Sequence, residues 1–165
     1  MKERRGGEGL RRRSKRDKED NDMTKSMVVY WSQTGNTEAM ANAVAEGLRE
    51  TCPECELKAV SEVTPEELKD LAGFALGCPA MGDEVLEETE MQPFVDAVVQ
   101  FVGGKNVALF GSYGWGDGQW MRDWQASFEA AGASIVNGEG LICNDMPDDD
   151  MLEQCRDLGR NLGLK

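Results

Sequence analysis

Histidine is missing from this 165-residue sequence. Its absence excludes nucleophiles activated by an imidazole base and every metal site that has a histidine ligand. Long apolar runs are missing too, because the run at 27–31 has five residues, and about 20 are needed to cross a bilayer. Excess positive charge is also lacking: 31 Asp and Glu outnumber 18 Lys and Arg and leave a net charge of −13. That balance argues against nucleic-acid binding, which needs a basic surface.

The remaining composition predicts one folded domain. A hydrophobic fraction of 40% and a charged fraction of 30% are typical of a globular chain. Five cysteines, with no secretory signal ahead of them, predict free thiols in a reducing cytoplasm. Cys52 and Cys55 form a CxxC pair, but they follow the end of a predicted helix, where the helix dipole does not lower a thiol pKa. We interpret this pair as incidental rather than redox-active.

Charge divides the chain into two unequal parts. Residues 1–26 hold ten Lys and Arg against six Asp and Glu, whereas residues 27–165 hold eight against 25. Leu10 is the one large aliphatic residue of the first part, so burial cannot offset the entropy of ordering. We expect a disordered basic tail at 1–26 and a folded domain at 27–165. The tail is interpreted as an expression remnant or the product of an upstream start codon, with a basic docking arm as the alternative.

Apolar patterns along the folded part alternate between short continuous runs and helical spacing. Continuous runs such as 74–78 are typical of strands covered on both faces. Pro65 and the three aspartates at 148–150 mark helix starts, since proline suits the first turn and carboxylates suit the positive end of the dipole. The patterns predict strands at 27–31, 57–60, 74–78, 107–110 and, interrupted, 135–143, with helices at about 37–50, from 65, 91–102, 120–131 and 148–162.

Five strands alternating with about five helices predict an α/β fold, in which a parallel sheet carries helices on both faces. Right-handed crossovers bring the C-terminal ends of the strands to one edge, and ligands bind beyond that edge. The functional residues should therefore follow Trp31, Cys78, Phe110 and Cys143.

The first of these loops, Ser-Gln-Thr-Gly-Asn-Thr at 32–37, precedes a helix. Unpaired N–H groups and the dipole at a helix N-terminus favour an anion, and hydroxyls add donors. The loop holds no Lys or Arg, and neither a P-loop nor a G-x-G-x-x-G dinucleotide pattern occurs in the chain. Helix capping alone needs one hydroxyl, so this excess of side-chain donors within six residues predicts a site for a single phosphate held by neutral groups.

Two further loops, at 79–84 and 111–118, are expected at the same edge. Four glycines surround Trp115 in the second loop, and glycines let a ligand approach the backbone closely. An exposed indole on such a loop is suited to stack on a flat ring. Trp120 and Trp124 share one face of a predicted helix and are interpreted as packing residues.

Together these segments resemble the flavodoxin family. The first strand and loop, continuing into the helix as far as Val44, fit the FMN-phosphate pattern of the family. Residues 77–84 and 111–118 fit its two flavin-flanking loops. The resemblance covers about residues 27–165 with three motifs in the family's order. The short interval between Ile135 and Cys143 is similar to that of short-chain members.

The resemblance implies a flavodoxin-like three-layer sandwich with strand order 2-1-3-4-5 and with FMN as a non-covalently bound cofactor. Ser32, Thr34, Asn36 and Thr37 would hold the phosphate, helped by Ser112. No metal site and no catalytic residue are implied.

The same resemblance assigns roles at the flavin ring. Met81 and Trp115 would lie on its two faces. The Gly82 carbonyl would accept a hydrogen bond from N5–H in the semiquinone, and Glu84 would accept one from N3–H. The implied cofactor-binding residues are Ser32, Gln33, Thr34, Gly35, Asn36, Thr37, Pro79, Ala80, Met81, Gly82, Asp83, Glu84, Ser112, Tyr113, Gly114, Trp115, Gly116, Asp117 and Asn144.

A member of this family would be a low-potential one-electron carrier and not an enzyme, working through a stabilised neutral semiquinone. Its partners would be redox enzymes that dock transiently through basic surfaces, and the carrier itself would be a cytoplasmic monomer that binds neither nucleic acid nor membrane. An FMN-dependent NAD(P)H oxidoreductase is the main alternative, and a flavin-free interaction module is another. A signalling receiver domain is excluded, because Ser32 and Gln33 stand where it needs an acidic pair.

Overall fold

The computed structural model describes residues 26–165, so the predicted tail lies, apart from Ser26, outside the described residues. Its central sheet is parallel throughout, with the order β2-β1-β3-β4 followed by two short strands in the fifth position. This order confirms the predicted sheet. The strands are β1 (Met27–Tyr30), β2 (Glu56–Ala59), β3 (Gly73–Gly77), β4 (Asn106–Tyr113), β5 (Ser134–Ile135) and β6 (Leu141–Asn144).

Two strands, β5 and β6, share the fifth position, so the structure has six strands where the sequence predicts five. The first pairs with the beginning of β4 and the second with its end. Between them lies the 3-10 turn Val136–Gly138, in which Asn137 has a φ of 65° and Gly138 a φ of 81°. These left-handed residues interrupt the extended chain, as the predicted break in this strand implies.

The helices cover both faces of the sheet, as predicted. They are α1 (Asn36–Leu48), α2 (Glu66–Lys69), α3 (Met91–Val98), α4 (Gln119–Ala130) and α5 (Asp149–Gly163). One core lies between the sheet and α1 with α5, and the other lies between the sheet and α3 with α4. The helix α2 is a single turn that adds Leu68 to the second core.

Side chains along each strand alternate between the two cores. Val28 belongs to the core of α1 and α5, whereas Val29 belongs to the opposite one. Ala75 on β3 likewise faces one core, and Phe74 and Leu76 face the other. The period of two follows from strand geometry. It explains why these strands are apolar without interruption.

Several element ends differ from the sequence prediction. The helix α3 stops at Val98 and continues as a 3-10 turn, Val99–Phe101, so the predicted α-helix at 91–102 is too long. The strand β4 runs on to Tyr113 because its last four residues pair with β6. The predicted start of the last helix is confirmed, since Asp148 Oδ1 accepts a hydrogen bond from the Met151 N–H at 2.8 Å.

Candidate functional site

The loop between β1 and α1 is held by its own hydroxyl. Ser32 Oγ accepts hydrogen bonds from the N–H groups of Gly35 and Glu38, both at 3.2 Å. Gly35 has a φ of 98°, a conformation that a Cβ disfavours, and α1 begins at the next residue. The N–H groups of Asn36 and Thr37 have no helical carbonyl to bind, which makes them available to an anion at the sheet edge.

Thr37 joins this loop to the end of β4. Its Oγ1 lies 2.9 Å from Ser112 Oγ and accepts a hydrogen bond from the Ser112 N–H at 3.3 Å. Both side chains are buried. A hydroxyl can donate one hydrogen bond and accept two, so the pair fixes the two segments together and retains capacity for a ligand.

A cleft of about 160 Å³ lies between these segments. Pockets that enclose a whole ligand typically measure about 300–1,000 Å³, so this cleft suits one end of an elongated ligand whose other end lies at the mouth. Most of the lining residues are among those predicted for the site, and Asp145 is the addition: Ser32, Gln33, Thr34, Asn36, Thr37, Pro79, Ala80, Met81, Ser112, Tyr113, Gly114 and Asp145.

The segment after β3 forms a closed turn, which we call turn 81–85. The Met81 N–H donates to the Val85 carbonyl at 2.8 Å, and the Val85 N–H donates to the Met81 carbonyl at 2.9 Å. Inside the turn, Gly82 has a φ of 46° and Glu84 a φ of 59°. No atom lies within 4 Å of a Cβ built on Gly82. Glycine is therefore required there by backbone conformation and not by lack of space.

Glu84 connects turn 81–85 to the loop after β4. Its Oε1 accepts hydrogen bonds from the N–H groups of Gly118 at 3.1 Å and Gln119 at 2.8 Å, at the start of α4. A Cβ built on Gly116 would lie 2.5 Å from the Glu84 carboxyl carbon, so glycine makes room for this carboxylate. The sequence did not indicate this link, and Oε2 is left for a ligand.

The loop after β4 carries the predicted stacking residue. Trp115 is 64% exposed, whereas Trp120 and Trp124 are buried, which confirms the packing role predicted for those two. The indole N–H of Trp120 donates to the Cys78 carbonyl at 3.1 Å. The remaining predicted residues of the loop, Gly116 and Asp117, flank the exposed indole in the chain.

At the end of β6, Asn144 and Asp145 take different places. The Asn144 Nδ2 donates to the Tyr113 carbonyl at 3.3 Å, and the Asp145 N–H donates to the same oxygen at 2.8 Å. Of the two side chains, Asp145 lines the cleft. Sequence reasoning missed it because a carboxylate is an unexpected neighbour for a phosphate, although its position beside Asn144 was a usable signal.

Acidic residues dominate the surroundings of the cleft. The segments 79–90, 113–118 and 144–150 contain no Lys or Arg. Arg122 on α4 is engaged with Asp117, with Nη2 and Oδ1 2.9 Å apart. The two arginines of α5 form ion pairs with acids of α1 and α5: Arg156 with Glu46 and Glu153, and Arg160 with Glu50, Glu153 and Asp157.

The cysteines nearest the cleft are chemically quiet. Burial raises the pKa of the Cys78 thiol to about 12. Burial, followed by the charges of Asp148 and Asp145, also raises the pKa of Cys143. In the CxxC segment, burial raises the pKa of Cys55 to about 11. These thiols stay protonated at neutral pH and are poor nucleophiles.

The described residues contain neither a membrane-spanning helix nor a metal-binding cluster. Within 26–165, no helix is both long and apolar enough to cross a membrane. Over the same residues, no three or more Cys, Asp or Glu side chains come together in an arrangement that could hold a metal ion.

This chain is similar to known flavodoxins over most of its length. A family model described as flavodoxin matches residues 28–159. The flavodoxin of Clostridium beijerinckii is 43% identical over 135 residues, which is 82% of this chain and 96% of that protein. The flavodoxin of Megasphaera elsdenii is 39% identical over 132 residues, 80% of this chain and 93% of that protein.

Solved structures agree as well. The solution structure of two-electron reduced Megasphaera elsdenii flavodoxin superposes with a TM-score of 0.76 at 38% identity, covering 85% of this chain and 99% of that one. An archaeal flavodoxin superposes with a TM-score of 0.75 at 28% identity, covering 85% of this chain and 96% of that one. This chain therefore belongs to the flavodoxin family.

Proposed function

We propose that this chain shuttles single electrons at low potential between redox enzymes, using FMN bound at the cleft. Family membership makes it an FMN-binding electron carrier and not an enzyme. When bound, FMN supplies the one-electron chemistry that side chains lack. The observation that carries the proposal is a cleft with neutral donors at a helix N-terminus, opening between a closed glycine turn and an exposed tryptophan.

The residues of the cleft fit the phosphate end of FMN. Ser32, Thr34 and Thr37 offer hydroxyls, and the start of α1 offers N–H groups and the positive end of its dipole. No atom lies within 4 Å of a Cβ built on Gly35, which leaves room for a ligand against the loop. Asp145 would repel a phosphate, so its carboxylate is better suited to accept hydrogen bonds from the hydroxyls of the ribityl chain.

The residues at the mouth fit the flavin ring. Met81 and Trp115 supply a polarisable thioether and an exposed indole for its two faces. The free Oε2 of Glu84 can accept a hydrogen bond from N3–H while Oε1 stays on the start of α4. The Gly82 carbonyl would accept a hydrogen bond from the protonated N5, because a glycine can reorient its peptide at little cost.

The charges around the mouth account for a low potential. Four acidic residues lie within six positions of this segment: Asp83, Glu84, Glu87 and Glu88. No Lys or Arg occurs between residues 70 and 104 to balance them. At an effective dielectric near 20, each unit charge about 8 Å from the ring opposes added negative charge by roughly 2 kcal/mol before salt screening. The electron that gives the ring a net negative charge should therefore be the harder one to add.

The same surface suits transient docking of a basic redox partner. Trp115 is 64% exposed and Met146 is 76% exposed. The two segments that carry them are joined, because the Asp145 N–H donates a hydrogen bond to the Tyr113 carbonyl. Two apolar side chains within an acidic surface match a partner that presents an apolar centre ringed by Lys and Arg. With a basic acceptor such as cytochrome c, we expect electron-transfer rates to fall steeply as ionic strength rises.

The decisive experiment is stepwise reduction of the FMN-loaded protein, followed by visible spectra. We expect two separate one-electron potentials, with the second well below the first. Reduction in a single two-electron step would contradict the proposal. Steady-state NAD(P)H oxidation by the purified protein alone would favour the oxidoreductase alternative, and failure to take up FMN would favour an interaction module.

The proposal extends to the organisation and setting of the chain. We infer that residues 27–165 form the FMN-binding domain, because the matched family segment spans 28–159. The free thiols of Cys55, Cys78, Cys143 and Cys155 suit a reducing cytoplasm. Removal of residues 1–26 should leave FMN affinity unchanged, and sedimentation should report a monomer.

A further inference from the structure

Glu87 is a buried carboxylate whose hydrogen bonds have no role assigned so far, although its charge counts among those near the mouth. It is 7% exposed. Its Oε1 accepts hydrogen bonds from the N–H groups of Glu90 and Met91 at 2.8 and 2.9 Å. Its Oε2 accepts from the Thr89 N–H at 2.9 Å and from the Thr89 hydroxyl. Four donors from the following turn of chain therefore converge on this one side chain.

These hydrogen bonds cap α3 from outside the helix. The residue at the cap position, Glu90, makes no capping bond with its own side chain. Burial alone would raise the pKa of Glu87, but the hydrogen bonds from Thr89, Met91 and Glu90 outweigh it and lower that pKa to about 2. The carboxylate is therefore ionised at neutral pH, in the form that accepts all four hydrogen bonds.

Glu87 also fixes one end of turn 81–85. Its N–H lies 3.4 Å from Cys78 Sγ at the end of β3, and its carbonyl accepts a hydrogen bond from the Gln92 N–H at 2.8 Å. At the other end of the turn, the Ala80 N–H donates to the Ser112 carbonyl at 3.0 Å. Glu87 and Gly82 line one open hollow of about 470 Å³. Turn 81–85 therefore lies between two anchored segments, and the one that follows it is attached to α3 through both the backbone carbonyl and the carboxylate of Glu87.

We propose that Glu87 is a positioning residue that sets the conformation of turn 81–85 and, through it, the hydrogen bond between the Gly82 carbonyl and flavin N5. This inference rests on the proposed function. With both ends held, the peptide after Gly82 can reorient while the rest of the turn stays in place. When the attachment of Glu87 is weakened, the turn relaxes and the hydrogen bond to N5–H is lost in part.

The first one-electron potential separates positioning from charge. The first step adds an electron together with a proton, so the net charge of the ring does not change, and a neighbouring carboxylate has little Coulombic effect on it. A hydrogen bond that holds the N5 proton does favour that step. Loss of positioning should therefore lower the first potential, whereas loss of charge alone should raise the second.

Three variants test the inference in the FMN-loaded protein. Thr89→Val removes one donor to Glu87 and no charge. Glu87→Gln removes the charge and replaces one carboxylate oxygen with an NH₂ group. That group cannot accept the hydrogen bonds that the neighbouring N–H groups donate to the carboxylate. Glu88→Gln is the matched control, because it removes the charge of the exposed neighbour.

We expect the equilibrium constant of the first one-electron step to fall at least threefold in Thr89→Val and at least tenfold in Glu87→Gln. The second change corresponds to about 59 mV in a one-electron couple. Glu88→Gln should leave that constant within twofold and raise only the second potential. If Glu87→Gln does not fold, Thr89→Val decides alone.

An unchanged first potential in Thr89→Val would overturn the positioning role, and so would equal effects of Glu87→Gln and Glu88→Gln on both potentials. A wild-type protein that takes no FMN, or that is reduced in one two-electron step, would instead contradict the proposed function itself. The two failures are therefore distinguishable.

Discussion

Gly47 and Gly159 lie where α1 packs against α5. A Cβ built on Gly47 would come within 1.9 Å of the Arg156 carbonyl oxygen, and one built on Gly159 within 2.0 Å of the Val44 carbonyl oxygen. Both glycines are helical, so their backbone conformation is open to any residue. Glycine is needed at both positions because the two helix backbones are in contact and leave no room for a Cβ between them.

Gly35 and Gly82, at the C-terminal edge of the sheet, show the reverse. No atom lies within 4 Å of a Cβ built on either of them. Their φ angles are 98° and 46°, so they serve a backbone conformation in open space. Gly35 belongs to the loop whose other residues line the cleft, and Gly82 belongs to turn 81–85, so loop conformation and not helix packing sets the demand for glycine there.

These two pairs of glycines indicate that the helix layer and the loop edge of this fold are sensitive to different kinds of change. The helix layer should respond to added volume and be indifferent to pH and to FMN. The loop edge should respond to charge, pH and bound cofactor, while tolerating change in volume.

The largest effect is expected from Gly159→Ala. Alanine favours a helix over glycine by about 1 kcal/mol, but the two backbones would have to move apart, and overpacking of this kind costs about 3 kcal/mol or more. We therefore expect a net loss of at least about 2 kcal/mol in the free energy of unfolding, measured by urea titration. Gly138→Ala, at an open surface turn with a φ of 81°, is the control and should lose about 1 kcal/mol. Equal losses would contradict the contrast.

The acid sensitivity of Glu87 should be the next largest effect. Its folded pKa of about 2 lies below the ordinary value of 4.5, so its contribution to stability is present above pH 4.5 and is lost as the pH falls toward 2. About 2 kcal/mol of that contribution should disappear between pH 7 and pH 3. The measurement is urea unfolding of wild type and Glu87→Gln at both pH values. The difference between the two proteins should shrink at pH 3, and a constant difference would rule out this linkage.

The sheet was predictable because its strands are buried on both faces. Uninterrupted apolar runs identified β1 and β3, and three aspartates identified the start of α5. The end of β4 was not predictable, since Gly111 and Ser112 are typical of loops. They form a strand because they pair with β6. Glycine at 111 also lets β4 approach the end of β3, since a Cβ there would lie 2.1 Å from the Cys78 carbonyl oxygen.

The loops of the site were predictable from the topology, which places the ends of parallel strands at one edge. Contacts between residues that are far apart in the sequence were not predictable. Glu84 reaches the start of α4 over 34 residues, and no local pattern records such a distance. The burial of Glu87 was not predictable either, because it depends on donors that only the folded turn before α3 brings together.

A smaller effect is expected from Thr37→Val, which removes the buried hydroxyl shared by the phosphate loop and β4. The change leaves Ser112 Oγ without its 2.9 Å partner and takes one donor from the phosphate. Together these should weaken FMN binding about tenfold, or about 1.4 kcal/mol. Flavin fluorescence during titration measures the affinity. Thr51→Val is the control, because Thr51 is exposed and follows the C-terminal end of α1, whereas the cleft lies at the N-terminal end. It should bind FMN like wild type, and equal weakening in both variants would contradict the specific role of Thr37.

The smallest effect should come from Trp115→Ala. In the proposed complex the indole stacks on the ring with one of its faces, and the side chain is 64% exposed without the ligand. Its removal should therefore cost about 1 kcal/mol of affinity, roughly fivefold. Met146→Ala is the matched control, because Met146 is 76% exposed, follows Asp145 at the same edge and has no assigned contact with the ring. It should leave FMN affinity unchanged while slowing electron transfer to a basic acceptor. If Met146→Ala weakened FMN binding as much as Trp115→Ala, exposure at this edge would not distinguish the residue that stacks on the cofactor from the one that meets the partner.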